Sequence, residues 1–124
     1  MRENFGSDGP FEKGYGYSRA VRVGNHVWVS GSCAGDEAMD GDAYAQAADA
    51  LRVIEEGLAT AGARLGDVVR TVTYVTDIDE MYLVAKAHKE AFGDVQPAAT
   101  LVEVSALADP RYKVEIQVDA VVAS

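Results

Sequence analysis

The chain is predicted to be an α+β domain: one mixed β-sheet with two helices sharing a face. Three patterns lead to this reading. Residues Gln96 to Val104 and Lys113 to Ala120 alternate with period two around a turn at Ala108-Asp109-Pro110-Arg111, the pattern of a pair of neighbouring antiparallel strands. Two segments with helical spacing each carry a single apolar stripe, so each buries one side only. The elements follow in the order β-β-α-β-α-β-β, for which two helices on one side of one sheet is the simplest packing.

Taken in order, Met1 to Gly16 is rich in glycine and polar groups, contains Pro10, and reads as an irregular arm. Tyr17 to Val23 is a short strand, Gly24-Asn25 a two-residue turn, and Val27 to Ser30 the returning strand of a hairpin. Gly31 to Gly41 is a loop of small residues. Asp42 suits the N-cap of a long helix in which Ala47, Leu51, Ile54, Leu58 and Ala61 form the apolar stripe, and Gly62 ends it. Val68 to Thr76 is dense in β-branched residues and apolar on both sides, which requires cover on both faces. Asp77 with Glu80 resembles a capping box for a second helix that runs to about Phe92, turns Met81, Val84, Ala87 and Ala91 inward, and stops at Gly93. In the last strand, Val114, Ile116, Val118 and Ala120 face a core, while Glu115, Gln117 and Asp119 point the other way. The sheet face away from the helices then holds apolar groups, Val72 or Val75 among them, that an oligomer would bury.

At 124 residues the chain is a single domain, 1–124, with 1–16 as the arm. Its 11 Lys and Arg against 20 Asp and Glu give a formal charge of −9, which repels phosphate backbones and disfavours general nucleic-acid binding. No window is apolar enough to span a membrane, the N-terminal residues lack a secretory apolar stretch, and one cysteine permits no intrachain disulfide; a cytoplasmic location fits.

A series of short segments then resembles the Rid/YjgF family of reactive intermediate (imine) deaminases, also labelled L-PSP endoribonucleases. They are Gly16-Tyr17, Val23-Gly24-Asn25, Val29-Ser30-Gly31, Ala61-Gly62 to Val69, Tyr74 to Asp77, Glu90-Ala91-Phe92, Pro97-Ala98, Val102-Glu103-Val104 and Val114-Glu115-Ile116. Each is weak alone; their order and spacing are specific. The resemblance implies a chorismate-mutase-like fold of the Bacillus type and a homotrimer whose sheets form a central barrel, with small-molecule clefts between subunits. It implies hydrolysis of 2-imino acids to 2-keto acids and ammonia without a cofactor, a form of metabolite damage control. Carried over residue by residue, Tyr17 lines the cleft, Ser30 and Gly31 form its strand-end segment, and Glu115 positions the attacking water.

One position departs from the family. Its Pro-Ala-Arg-Ser/Thr motif reads Pro97-Ala98-Ala99-Thr100 here, so Ala99 stands where an arginine would grip the substrate carboxylate with a fork of N–H donors. Losing such a pair in a secluded cleft costs on the order of 3–5 kcal/mol. Either another cation takes over or the ligand is not an imino acid carboxylate. Arg19 lies two residues beyond Tyr17 on the same strand and so shares its face; the plainer reading is a solvated or interface arginine. Arg111, in a turn after Pro110, is a weaker candidate. Leu101 and Glu103 share the face of Ala99, and a Glu103/Glu115 pair would favour a cationic or neutral ligand; Gln117 shares the face of Glu115 as polar lining. Tyr17 either donates its hydroxyl to a ligand or buries its ring at an interface. Cys33 has no neighbouring cation in sequence and reads as a small filler rather than a nucleophile. His26 and His88 show no metal-ligand spacing.

The leading reading is therefore hydrolysis of a reactive imine, enamine or related small molecule in clefts between subunits. A non-catalytic small-molecule binding or regulatory trimer is the alternative, favoured by Ala99. RNA cleavage is the third, and the acidic charge and the absence of a basic stripe argue against it.

Overall fold

In the computed structural model, which describes residues 1–123, the side chain of Asp42 accepts the N–H of Ala45 at 2.9 Å and starts the long helix α2, Ala43–Thr60. Gly62, at φ +83°, supplies the left-handed turn that ends it. The other helices are a single turn, α1 (Glu12–Tyr15), and α3 (Met81–Phe92). Six strands make one sheet: β1 (Arg2–Phe5), β2 (Ala20–Val23), β3 (His26–Ser32), β4 (Val68–Val75), β5 (Ala98–Glu103) and β6 (Val114–Val121). Their order is β1-β2-β3-β6-β4-β5, with only β4 and β5 parallel. Among the described residues, no helix is long and apolar enough to cross a membrane.

The alternation of β6 decides the layering. Val114, Ile116, Val118 and Ala120 are at most 1% exposed and pack with Val27, Val29, Ile54, Leu58, Val84 and Phe92 between the sheet and the helices. Both long helices lie on this face, α2 against β3 and β6 and α3 against α2. Gln46, fully buried in α2, hydrogen-bonds the backbone of Met39, Arg111 and Lys113, and so ties the approach to β6 onto the helix.

Three expectations change, and one open alternative is decided. The arm is not irregular throughout: Arg2–Phe5 adds an edge strand to β2, and Glu12–Tyr15 forms a turn of helix. An edge strand needs only a backbone partner, so a polar sequence without alternation can supply it. The two C-terminal strands are not neighbours, because β4 lies between them. The β4-α3-β5 crossover lays β5 parallel beside β4, and β6 pairs with the opposite edge of β4. Val75 turns toward the helices and is 1% exposed, leaving Val72 half-buried on the open face. At the second helix, Asp77 caps a 3-10 turn, Ile78–Glu80, by accepting the N–H of Asp79, so α3 begins a turn later and Met81 stays 43% exposed instead of entering the core.

Among the described residues, nothing covers the part of the opposite face that carries Trp28 and its neighbours. Trp28, Val23, Val102 and Val121 lie on it 38–42% exposed, with His26 stacked on Trp28 at 5.7 Å.

Candidate functional site

The site grows from an irregularity in the sheet. Val29 of β3 pairs with Val118 of β6, but Ser32 pairs with Ile116, so three steps along β3 oppose two along β6. The extra residue makes a bulge at Ser30-Gly31, a device common beside active sites. Glu115 lies against it. A Cβ at position 31 would overlap the Glu115 carboxylate, so the glycine is what lets that carboxylate sit there. The thiol of Cys33 donates to Glu115 Oε1 at 3.5 Å. Burial, and after it the negative charge of Glu115, push the thiol well above its usual range, which holds Cys33 protonated and rules it out as a thiolate nucleophile at neutral pH.

Arg19 comes next. It is 8% exposed, with its stem against Gly57 of α2 and its guanidinium 5.6 Å from the centre of the Tyr17 ring. Its Nη2 donates to the Gly31 carbonyl at 2.7 Å, whereas its buried Nε has no partner. The adjoining Ser30 hydroxyl donates to the Ser18 carbonyl at 2.6 Å and holds the Tyr17–Arg19 segment against the bulge.

Tyr17, Arg19, Ser30, Gly31, Cys33 and Glu115 all line one open cleft of about 1240 Å³. Its walls come from the N-terminal segment Phe5–Phe11, the outer side of α2 and the turn that holds Asp109 and Arg111. Three arginines line it. Arg52 is ion-paired to Asp49 and Glu56, and Arg111 to Asp109; among the described residues Arg19 has no acidic partner. The Asp109 pairing holds that carboxyl below its usual range and occupies Arg111.

The other residues singled out in the sequence lie elsewhere. Ala99 and Leu101 line a smaller cavity of about 290 Å³ with Thr71 and His88, on the helix side of β5. Glu103 shares their face and accepts the N–H of Ile78 at 2.8 Å, fastening the turn before α3. Gln117 faces the open side, where the Tyr74 hydroxyl donates to it at 3.1 Å. The expected Glu103/Glu115 pair therefore does not form within the chain, because the two carboxylates point to opposite faces of the sheet. Tyr17 and Arg19 precede β2 rather than lying on it, and they meet through ring and guanidinium rather than through strand alternation. The aromatic residues Phe5, Phe11 and Tyr15, which also line the cleft, escaped the sequence reading; their crowding near Tyr17 in an otherwise polar segment was the available signal.

An α+β chain with one bulged mixed sheet and two long helices on one face defines the class as a domain of the chorismate-mutase-like fold. The Endoribonuclease L-PSP family model matches residues 11–122. The crystal structure of a Mycobacterium tuberculosis member of the YjgF/YER057c/UK114 family superposes with a TM-score of 0.92 at 47% identity, covering 98% of this chain and 100% of the other. An uncharacterized protein of Streptomyces coelicolor is 35% identical over 117 residues, 92% of this chain and 87% of its own length. The 2-iminobutanoate/2-iminopropanoate deaminase of Mus musculus is 32% identical over 110 residues, 85% of this chain and 80% of its own. The chain belongs to the Rid/YjgF family.

Proposed function

We propose that this protein hydrolyses a reactive imine bearing an anionic group, in a cofactor-free reaction. The observation that carries this reading is the pairing, in one cleft, of an accessible carboxylate with a guanidinium that has no ion-pair partner among the described residues: Glu115 beside Gly31, and Arg19 bonded to the carbonyl of the same glycine. In the reaction, Glu115 takes a proton from a water molecule as its oxygen bonds to the imine carbon. The carbinolamine formed from the protonated imine receives that proton on nitrogen, its hydroxyl proton passes to Glu115 as the C–N bond breaks, and ammonia leaves behind a ketone. Arg19, in place of the cation missing at Ala99, holds the substrate carboxylate. Cys33 donates to Glu115 and fixes its orientation.

The uncovered sheet face with Trp28 supports assembly of several copies, and a homotrimer is the form proposed. Non-catalytic binding in the same cleft is the second reading, supported by alanine at position 99. RNA is a poor fit: Asp8, Asp36, Glu56, Asp109 and Glu115 all line the cleft, and two of its three arginines are already ion-paired.

The test generates 2-iminopropanoate or 2-iminobutanoate in place and follows ammonia release. Acceleration should fall about 10²- to 10⁴-fold in Glu115→Gln. Arg19→Met, which keeps the buried stem, should raise KM about a hundred-fold. No acceleration by the wild-type protein across several imines, with a ligand still bound, would establish the second reading instead.

A further inference from the structure

We propose that the N-terminal segment makes this cleft selective for ligands that carry an aromatic ring beside their anionic group. The inference rests on the reading of the cleft as a small-molecule site and names the substrate class. The segment is built as a rigid wall. At one end β1 pairs with β2. In the middle, the Glu12 carboxylate, 7% exposed, accepts both the backbone N–H of Ser7, at 3.0 Å, and the Ser7 hydroxyl. At the far end Gly16, at φ +87°, closes α1, and the N–H groups of Gly16 and Tyr17 both bond the Glu12 carbonyl at 2.8 and 3.0 Å. Residues 6–17 are thus pinned from both sides by one buried acid and its backbone.

What this wall displays is aromatic. Phe5, Phe11, Tyr15 and Tyr17 all line the cleft. Phe11 and Tyr15 are 43% and 86% exposed, so burial of their rings in the core does not account for them. Tyr15 meets Tyr17 edge-on at 6.1 Å, and Tyr17 in turn carries the Arg19 guanidinium over its ring. Tyr15, Tyr17 and the Arg19 guanidinium therefore form a row of flat groups, and the guanidinium bonds the carbonyl of Gly31, against which Glu115 lies. An aromatic ligand has stacking and edge-to-face partners along that row, while its carboxylate reaches Arg19. The cleft, about 1240 Å³ and open on one side, has room for it.

Calorimetric titration with phenylpyruvate and pyruvate, the keto acids that hydrolysis would yield, tests the selectivity without requiring turnover. The wild-type protein should bind phenylpyruvate about ten-fold more tightly than pyruvate. In Phe11→Ala/Tyr15→Ala that preference should shrink to about three-fold or less, and Tyr15→Phe should retain it. Equal affinities, binding of neither acid, or an undiminished preference in the double variant would overturn the inference. So would a change in assembly mass of the double variant by light scattering, because the rings would then be a contact between copies. If neither 2-imino-3-phenylpropanoate nor 2-iminopropanoate releases ammonia faster with the protein, while the phenylpyruvate preference holds, hydrolysis falls and the selectivity stands.

Discussion

The Glu115 carboxylate occupies the space that a Cβ on Gly31 would fill, on the stretch of β3 where the ladder with β6 takes an extra residue. Gly31 has no positive φ, so its value lies in the missing side chain and not in backbone freedom. Gly31→Ala should leave the fold nearly intact, within about 1 kcal/mol, because a flexible carboxylate can swing away. The same swing should cost at least about ten-fold in kcat/KM for imine hydrolysis. Denaturant unfolding and ammonia release, measured side by side, check both halves.

Cys33 should be slow to alkylate. Its thiol is held protonated mainly by burial and secondarily by the charge and hydrogen bond of Glu115. Iodoacetamide should therefore react with it far more slowly than with a free thiol at pH 8. Glu115→Gln removes the charge and leaves the burial, so alkylation should speed up yet stay slower than for an unburied cysteine. Rates against pH, followed by mass spectrometry, give the comparison; a wild-type thiol that reacts like free cysteine would contradict the geometry.

Gln46 is the polar residue on which the core depends. While fully buried it makes three hydrogen bonds to the backbone, one to Met39 before α2 and two to Arg111 and Lys113 at the approach to β6. Gln46→Leu leaves those backbone groups without partners and should destabilise the protein by about 2–4 kcal/mol, read as a lower urea midpoint at unchanged slope.

His88 makes stability depend on mild acid. Its Nε2 lies 2.8 Å from the Thr71 hydroxyl beneath Ala99, and burial lowers its pKa below the ordinary 6.5. The unfolded chain therefore takes up the proton first. Stability from this group is complete above pH 6.5 and declines as the pH falls from there through the lower folded value. His88→Gln should show a flatter dependence between about pH 7 and 5. Urea midpoints at several pH values test it, and parallel curves for the two proteins would remove His88 as the cause.

Trp28 stands on the uncovered sheet face, 42% exposed. Trp28→Glu should yield a smaller species by light scattering if that face joins copies of the chain. An unchanged mass, or a wild-type protein that is already a monomer, would end the assembly proposal.

Local chemistry was enough to read the two long helices and most of the sheet. Asp42 and Gly62 mark the ends of α2 through a cap and a left-handed turn, both properties of a few adjacent residues. The β6 alternation assigns its faces because side-chain direction is a property of the single strand. Glu115, Tyr17, Ser30 and Gly31 were named from a motif pattern, and the cleft holds all four. Strand pairing was decided elsewhere: β5 and β6 both alternate, but which one takes which edge of β4 depends on the crossover through α3. The opposed directions of Glu103 and Glu115 follow from that pairing. That Arg19 is left without an ion pair among the described residues, and that Glu12 fastens an aromatic segment, likewise emerge only when residues distant in sequence come into contact. Sequence period determines which way a side chain points, whereas the company it keeps is set by the packing of the whole chain.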